Sequence, residues 1–187
     1  MKRKEIKYVA LLRGINVVGH NIIRMEDLRK TFKSAKYNDV STYIQSGNVI
    51  FAAPKLKTST LREKIEGMLL KKFGNHIVVV VKTIPELEEI VERNPFSKMK
   101  MKENEKLHVT FLPEVPQKTA IATLEAVKSP VDEIRPMKSE VYILCRNGYG
   151  KSLFSNTFIE KKLGVPGTTR NWNTVNKLIV LANTFDT

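Results

Sequence analysis

Every apolar run in this chain is short and stops at a charge or a turn: YVALL at Arg13-Gly14, VVVV at Lys82, VYILC at Arg146. Runs of that length suit buried strands, and the stretches between them repeat at helical spacing. A membrane-spanning helix, which needs about 20 mostly apolar residues, is not expected. The basic start MKRKEIKYVALLRG lacks the apolar segment and small-residue cleavage site of a signal peptide. With one cysteine no intrachain disulfide can form, so a cytoplasmic location is expected. Cys145 reads as a buried strand thiol, since no neighbouring His or cation is evident to activate it.

The order of elements follows from these runs. Ile6–Leu12 reads as a strand buried on both faces, and Met25, Leu28, Phe32 and Ala35 then recur at helical spacing. TYIQSGNVIF reads as a hairpin on a two-residue turn, with Gly47 supplying a positive φ. A helix over about 61–73 follows, with Thr60 and Glu63 spaced as a capping box, and HIVVVVK closes a βαββαβ series. After the short helix PELEEIVER come LHVTFLP, TAIATLEAV, EIRPM, EVYILC and KSLFSNTFIEKKL, a second βαββα. A last helix over about 171–183 presents Trp172, Val175, Ile179 and Ala182 on one stripe. The expected fold is therefore α+β: two ferredoxin-like βαββα subdomains, 1–83 and 84–187, packed as one compact unit with an added C-terminal helix. KMKMKENEK is the expected mobile loop.

Charge is unevenly shared. Residues 1–83 hold 17 Lys and Arg against 6 Asp and Glu, a net +11, while residues 84–187 hold 15 against 13, a net +2. Such an excess suits a polyanionic partner, although Arg29, Lys30, Lys33 and Lys36 also fit a solvated helix face.

Three loops could carry chemistry. Parallel first and second strands bring Arg13, Gly14 and Asn16 near Gln45, Ser46 and Asn48, a set of cation, amides and hydroxyl suited to an oxyanion or a sugar; ordinary turns are the alternative. NGYGKS leads toward a helix, where backbone N–H groups, Lys151 and Ser152 could hold phosphate, Ser152 otherwise serving as a cap. It is no Walker A loop, because Cys145 stands where the first glycine is required. In GVPGTTRNWNTVNKL, Thr169 is the expected cap of the last helix. Arg170 in its first turn would oppose the helix dipole unless an anion or a salt bridge relieves it, and Asn171 adds an amide.

The stretches YVALLRGIN, YIQSGNVIF, NPF, NGYGKS, LGVP and TTRNWNTV, in that order, resemble the bacterial domain-of-unknown-function family DUF1697 over nearly the whole chain. The resemblance implies an α+β cytosolic protein with two similar subdomains and supplies no activity. Members often read GINVGGKNKIPM and VPATTRNW, from which Val18, Ile22, Arg24 and the glycine of VPGTTRNW depart.

No HExxH, paired CxxC, GxGxxG or GxSxG spacing occurs, so neither a metal nor a cofactor is expected. Two function classes remain, with a protein-interaction domain as a third. One is binding of a phosphate-bearing ligand (nucleotide, sugar phosphate or nucleic acid) through Arg13, Lys151 and Arg170. The other is an enzyme acting on a small anionic substrate, with His20 or Tyr149 carrying the proton. RRM-type RNA readout is disfavoured because SGNVIFAA and SEVYILCR lack the aromatic spacing of that motif.

Overall fold

A computed structural model describes residues 4–17 and 21–184. The chain divides into two compact units, one formed by residues up to Glu89 together with the stretch from Lys177 onward, the other by Ile90–Asn176.

The first unit holds β1 (Glu5–Leu12), α1 (Met25–Ser34), β2 (Asn38–Tyr43), β3 (Asn48–Pro54), α2 (Thr58–Phe73), β4 (Val79–Thr83) and most of α3 (Ile84–Glu92). Its sheet runs β2-β3-β1-β4, every neighbouring pair antiparallel. Period-two alternation sends Tyr8, Ala10 and Leu12 into a core with Leu28 and Phe32 of α1 and Leu61, Ile65 and Leu69 of α2. Val9 and Leu11, on the other face, are buried as well, as expected for a strand without a solvated side. Phe51 anchors the core, its ring centroid 5.6 Å from Tyr8 and 5.4 Å from Phe32. Fully buried rings of this kind contribute roughly 1.5–3 kcal/mol each.

The second unit repeats the plan with β5 (Lys106–Phe111), α4 (Lys118–Glu125), β6 (Glu133–Met137), β7 (Glu140–Cys145), a 3-10 turn (Tyr149–Lys151), α5 (Asn156–Leu163) and β8 (Thr168–Asn171), in the order β6-β7-β5-β8. Val141, Ile143 and Cys145 face Leu124, Phe154, Ile159 and Leu163. The last helix, α6 (Trp172–Thr184), begins in this unit and ends in the first.

Several local expectations are corrected. The second series is βαββαβ, because TTRN forms strand β8 against β5 rather than the start of a helix. Two adjacent threonines, which favour the extended backbone, carry that strand. The hairpin loop has four residues, 44–47, since Tyr43 pairs with Asn48. α2 starts at Thr58 with Lys57 as its flanking residue, so Thr60 lies inside the helix. KSLFS is irregular apart from its 3-10 turn, and α5 is capped by Ser155, whose Oγ accepts from Phe158 N at 3.3 Å. On α6 the buried stripe is Val175, Leu178 and Ala182, with Trp172 and Ile179 only half-buried.

Candidate functional site

In the first unit the end of β1 and the tip of the β2–β3 hairpin do meet. Leu12 N donates to Gly47 O at 2.8 Å, and Arg13 N to Val78 O at 2.9 Å. The Asn16 amide bridges the two loops, its Nδ2 donating to Gln45 O at 2.8 Å and to Ile23 O at 3.0 Å while its Oδ1 accepts from Ile23 N at 2.8 Å. Asn48, wholly buried, donates to Tyr43 O and Ser46 Oγ, both at 3.0 Å. Gly47 is required twice over: its φ is +75°, and a Cβ there would lie 2.8 Å from Ile15 Cδ1. The predicted residues thus come together, and the amides of Asn16 and Asn48 are engaged in holding the loops. Gly14 and Gln45 are exposed on the same edge. His20 lies outside the described residues.

Ile44 at this tip has φ +49° and is 50% exposed. A β-branched residue in the left-handed region is an outlier, and here half of it stands in solvent.

In the second unit the expected anion loops are internally bonded. Lys151 N donates to Gly148 O at 3.2 Å and Ser152 N to Tyr149 O at 3.1 Å, so these amides close a turn instead of opening a helix. The Lys151 side chain is exposed, and Ser152 Oγ accepts from Phe154 N at 3.2 Å. Thr169 does not cap α6: its Oγ1 lies 2.8 Å from Thr110 Oγ1 on the neighbouring strand and donates to Asn156 Oδ1, at the start of α5, at 2.9 Å. The cap is Asn171, whose Oδ1 accepts from Asn173 N at 2.9 Å. Arg170 stands in β8 rather than in a first helical turn, so the expected conflict with the helix dipole does not arise. It is 7% exposed, with Nη1 donating to Thr168 Oγ1 at 2.6 Å and Thr169 O at 2.9 Å, and burial pulls its pKa down to about 10.

Beside this network His108 of β5 stacks on Tyr149, ring centroids 4.6 Å apart. His108 Nδ1 and the Tyr149 hydroxyl are buried without a hydrogen bond of good geometry, although the hydroxyl lies near Thr169 and Asn156. Burial pushes the histidine pKa down and the phenol pKa up, so both rest neutral. Burial likewise raises the Cys145 thiol to about 11, which leaves it protonated and a poor nucleophile.

The site that sequence reasoning missed lies at the other end of the first sheet, where β1 begins and β3 and β4 end. A cavity of about 790 Å³ is lined by Lys55, Leu56, Lys57, Thr58, Ser59, Thr83 and Glu86. A second, of about 540 Å³, shares Lys55 and Thr83 with it and continues over Glu5, Ile6, Lys7 and Asp39 to Ile84 and Pro85. Lys57 offers no side-chain cap to α2, and the first turn of that helix holds no acid. Glu86 is occupied by Thr83, accepting from its N at 2.7 Å and its Oγ1 at 2.9 Å. Lys7 Nζ donates to Ala182 O at 2.7 Å. Neither Lys55 nor Lys57 enters a salt bridge among the described residues. The sequence signal was KLKTST, two lysines leading into three hydroxyls of the first turn of α2, which the supposed capping box at Thr60 concealed.

Among the described residues no group of three or more His, Cys, Asp or Glu is placed to hold a metal ion, and no helix is long and apolar enough to cross a membrane.

The family model of a protein of unknown function, DUF1697, matches residues 6–142. The chain belongs to the DUF1697 family. Its fold is similar to that of the conserved bacterial protein SP0830 from Streptococcus pneumoniae, at a TM-score of 0.75 and 21% identity over 96% of this chain and 99% of that one. An unknown protein from Galdieria sulphuraria aligns over 90% of this chain and 99% of its own at 11% identity, but a TM-score of 0.25 carries no argument. No curated protein matches. The likeness to SP0830 supports the two-unit α+β architecture and leaves the chemistry to be argued from the DUF1697 chain itself.

Proposed function

We propose that this DUF1697 protein binds a phosphate-bearing ligand on its first unit. The observation that supports it is the pair of adjoining cavities that share Lys55 and Thr83, with Lys7 on one side and Lys57, Thr58 and Ser59 on the other. Lysine acts on phosphate as a mobile point charge with three donors, and hydroxyls add directional bonds. The first N–H groups of α2 have no helical acceptor, and no side chain from the flanking residue caps them. Glu86, the one carboxylate of the larger cavity, is bonded to Thr83 and so competes less for the lysines. Both depressions are open to solvent but short, the size of a small ligand, whereas a nucleic acid would be tracked by a longer surface of cations.

In this reading Arg13, Gly14, Asn16, Gln45, Ser46 and Asn48 hold the opposite end of the sheet, and Lys151, Ser152, Thr169, Arg170 and Asn171 hold the second unit. The test is calorimetric titration with inorganic pyrophosphate. The intact protein should bind it less tightly as salt is raised, and Lys55→Gln/Lys57→Gln should lose binding at unchanged melting temperature. Binding that survives the double substitution, or that disappears in Arg170→Lys, contradicts the assignment.

One observation favours a second reading, acid–base chemistry on a small anionic substrate. The Tyr149 hydroxyl and His108 Nδ1 are buried polar atoms without a hydrogen bond of good geometry, and such atoms need an explanation. Tyr149→Phe removes the hydroxyl while keeping the ring stack. If it leaves the chain's stability and ligand response untouched while an assayed turnover vanishes, the catalytic reading gains; a gain in stability alone assigns the hydroxyl to unrelieved burial.

A further inference from the structure

The two cavities differ in what they can accept. The larger one presents Lys55 and Lys57 with hydroxyls and a single carboxylate already bonded within the chain. The smaller one sets Lys7 and Lys55 against two carboxylates, Glu5 and Asp39, and has an apolar wall of Ile6, Ala52, Ile84 and Pro85. Lys7 is further engaged by the Ala182 carbonyl, and Glu5 accepts from Asn38 Nδ2 at 2.9 Å. A second phosphate group in the smaller cavity would meet those carboxylates at a repulsive cost. Neutral hydrogen-bond donors would be welcome there, because ionised carboxylates are acceptors only. The apolar wall asks for a flat, weakly polar body.

Resting on the phosphate reading above, we infer that the ligand is a nucleoside phosphate, its phosphate in the larger cavity and its sugar and base in the smaller. The 5′-phosphate lies against Lys55, Lys57, Thr58 and Ser59. The sugar hydroxyls donate to Asp39 and Glu5, as ribose hydroxyls do to acidic side chains in dinucleotide sites. The base covers Ala52 and the Ile84-Pro85 step that opens α3. A free phosphate leaves the apolar wall wet, and a sugar phosphate sets hydroxyls against it, so neither fills the smaller cavity of about 540 Å³. That volume lies within the roughly 300–1,000 Å³ typical of small-molecule sites.

Adenosine 5′-monophosphate, ribose 5-phosphate and inorganic phosphate, titrated separately into the intact chain by calorimetry, test the inference. The nucleotide should bind at least about tenfold more tightly than ribose 5-phosphate. Ala52→Leu fills the smaller cavity, and Pro85→Ser replaces an exposed part of its wall without touching the core. Each should bring the nucleotide down to the affinity of ribose 5-phosphate while inorganic phosphate binds as before. Equal affinity for all three probes overturns the nucleoside inference and leaves the phosphate reading standing. No binding of any probe, with the melting temperature intact, overturns both.

Discussion

The two units share one plan and use their charges in opposite ways. In the second unit Arg146 donates to Glu105 and Glu133 and also reaches Val131 O, Arg93 donates to Glu140, and Arg170 is buried among threonine oxygens. Its cations hold strands and loops in place. In the first unit the amides of Asn16 and Asn48 do that work, while Lys55 and Lys57 border a cavity. Residues 1–83 carry a net +11 and residues 84–187 a net +2, and the acids of the second stretch include the ion-pair partners of Arg93, Arg135 and Arg146.

The sharpest way to break that contrast is Arg146→Ala. It leaves Glu105, whose side chain is 8% exposed, without its guanidinium partner. Loss of one member of a largely buried pair costs about 2–3 kcal/mol, discounted here because Arg146 itself is 30% exposed. Urea denaturation should show the loss, and an unchanged midpoint would mean that the network contributes nothing net.

Ile44→Gly acts in the other direction. A residue with a Cβ in the left-handed region costs about 1–2 kcal/mol, and the half-exposed Ile44 side chain has little burial to lose. A gain of about 1 kcal/mol is expected by the same measurement; a loss would show that the isoleucine side chain is itself needed at the tip.

His108 makes one acid-sensitive contribution. Burial lowers its folded pKa below the ordinary 6.5, so between those two values the unfolded chain binds more protons than the native one. The stability it contributes is complete above pH 6.5 and falls away as pH drops through the folded value. Denaturation curves of the parent chain and of His108→Phe should converge in that direction, with the variant lacking this slope. Parallel pH profiles would contradict the buried neutral assignment.

The smallest stability effect is expected where the functional effect is largest. Lys55→Gln and Lys57→Gln, on an exposed loop, should each change stability by less than about 0.5 kcal/mol. A greater loss would place those lysines with the structural cations of the second unit.

Much of the fold was legible because its signals are periodic and local. The alternation in YVALL and VYILC and the Met25, Leu28, Phe32 spacing each state a burial pattern within one segment. β8 was not legible, because four residues, TTRN, carry no alternation and their polar side chains satisfy a helix cap as well as a strand. Only pairing with β5, about 60 residues away in sequence, decides between the two. The meeting of Asn16 with Gln45 followed from strand direction, which topology supplies. The cavities did not follow, since Lys7, Lys55 and Thr83 converge from three separate strand ends and leave no mark at any one spacing.

The most direct test is an amide chemical-shift titration of the intact chain with inorganic pyrophosphate. Saturable shifts concentrated at Lys55, Leu56, Lys57, Thr58, Ser59 and Thr83 are the expected result. Shifts centred instead on Lys151, Ser152 and the Thr168–Asn171 strand, or none at all, would contradict the division of labour between the two units.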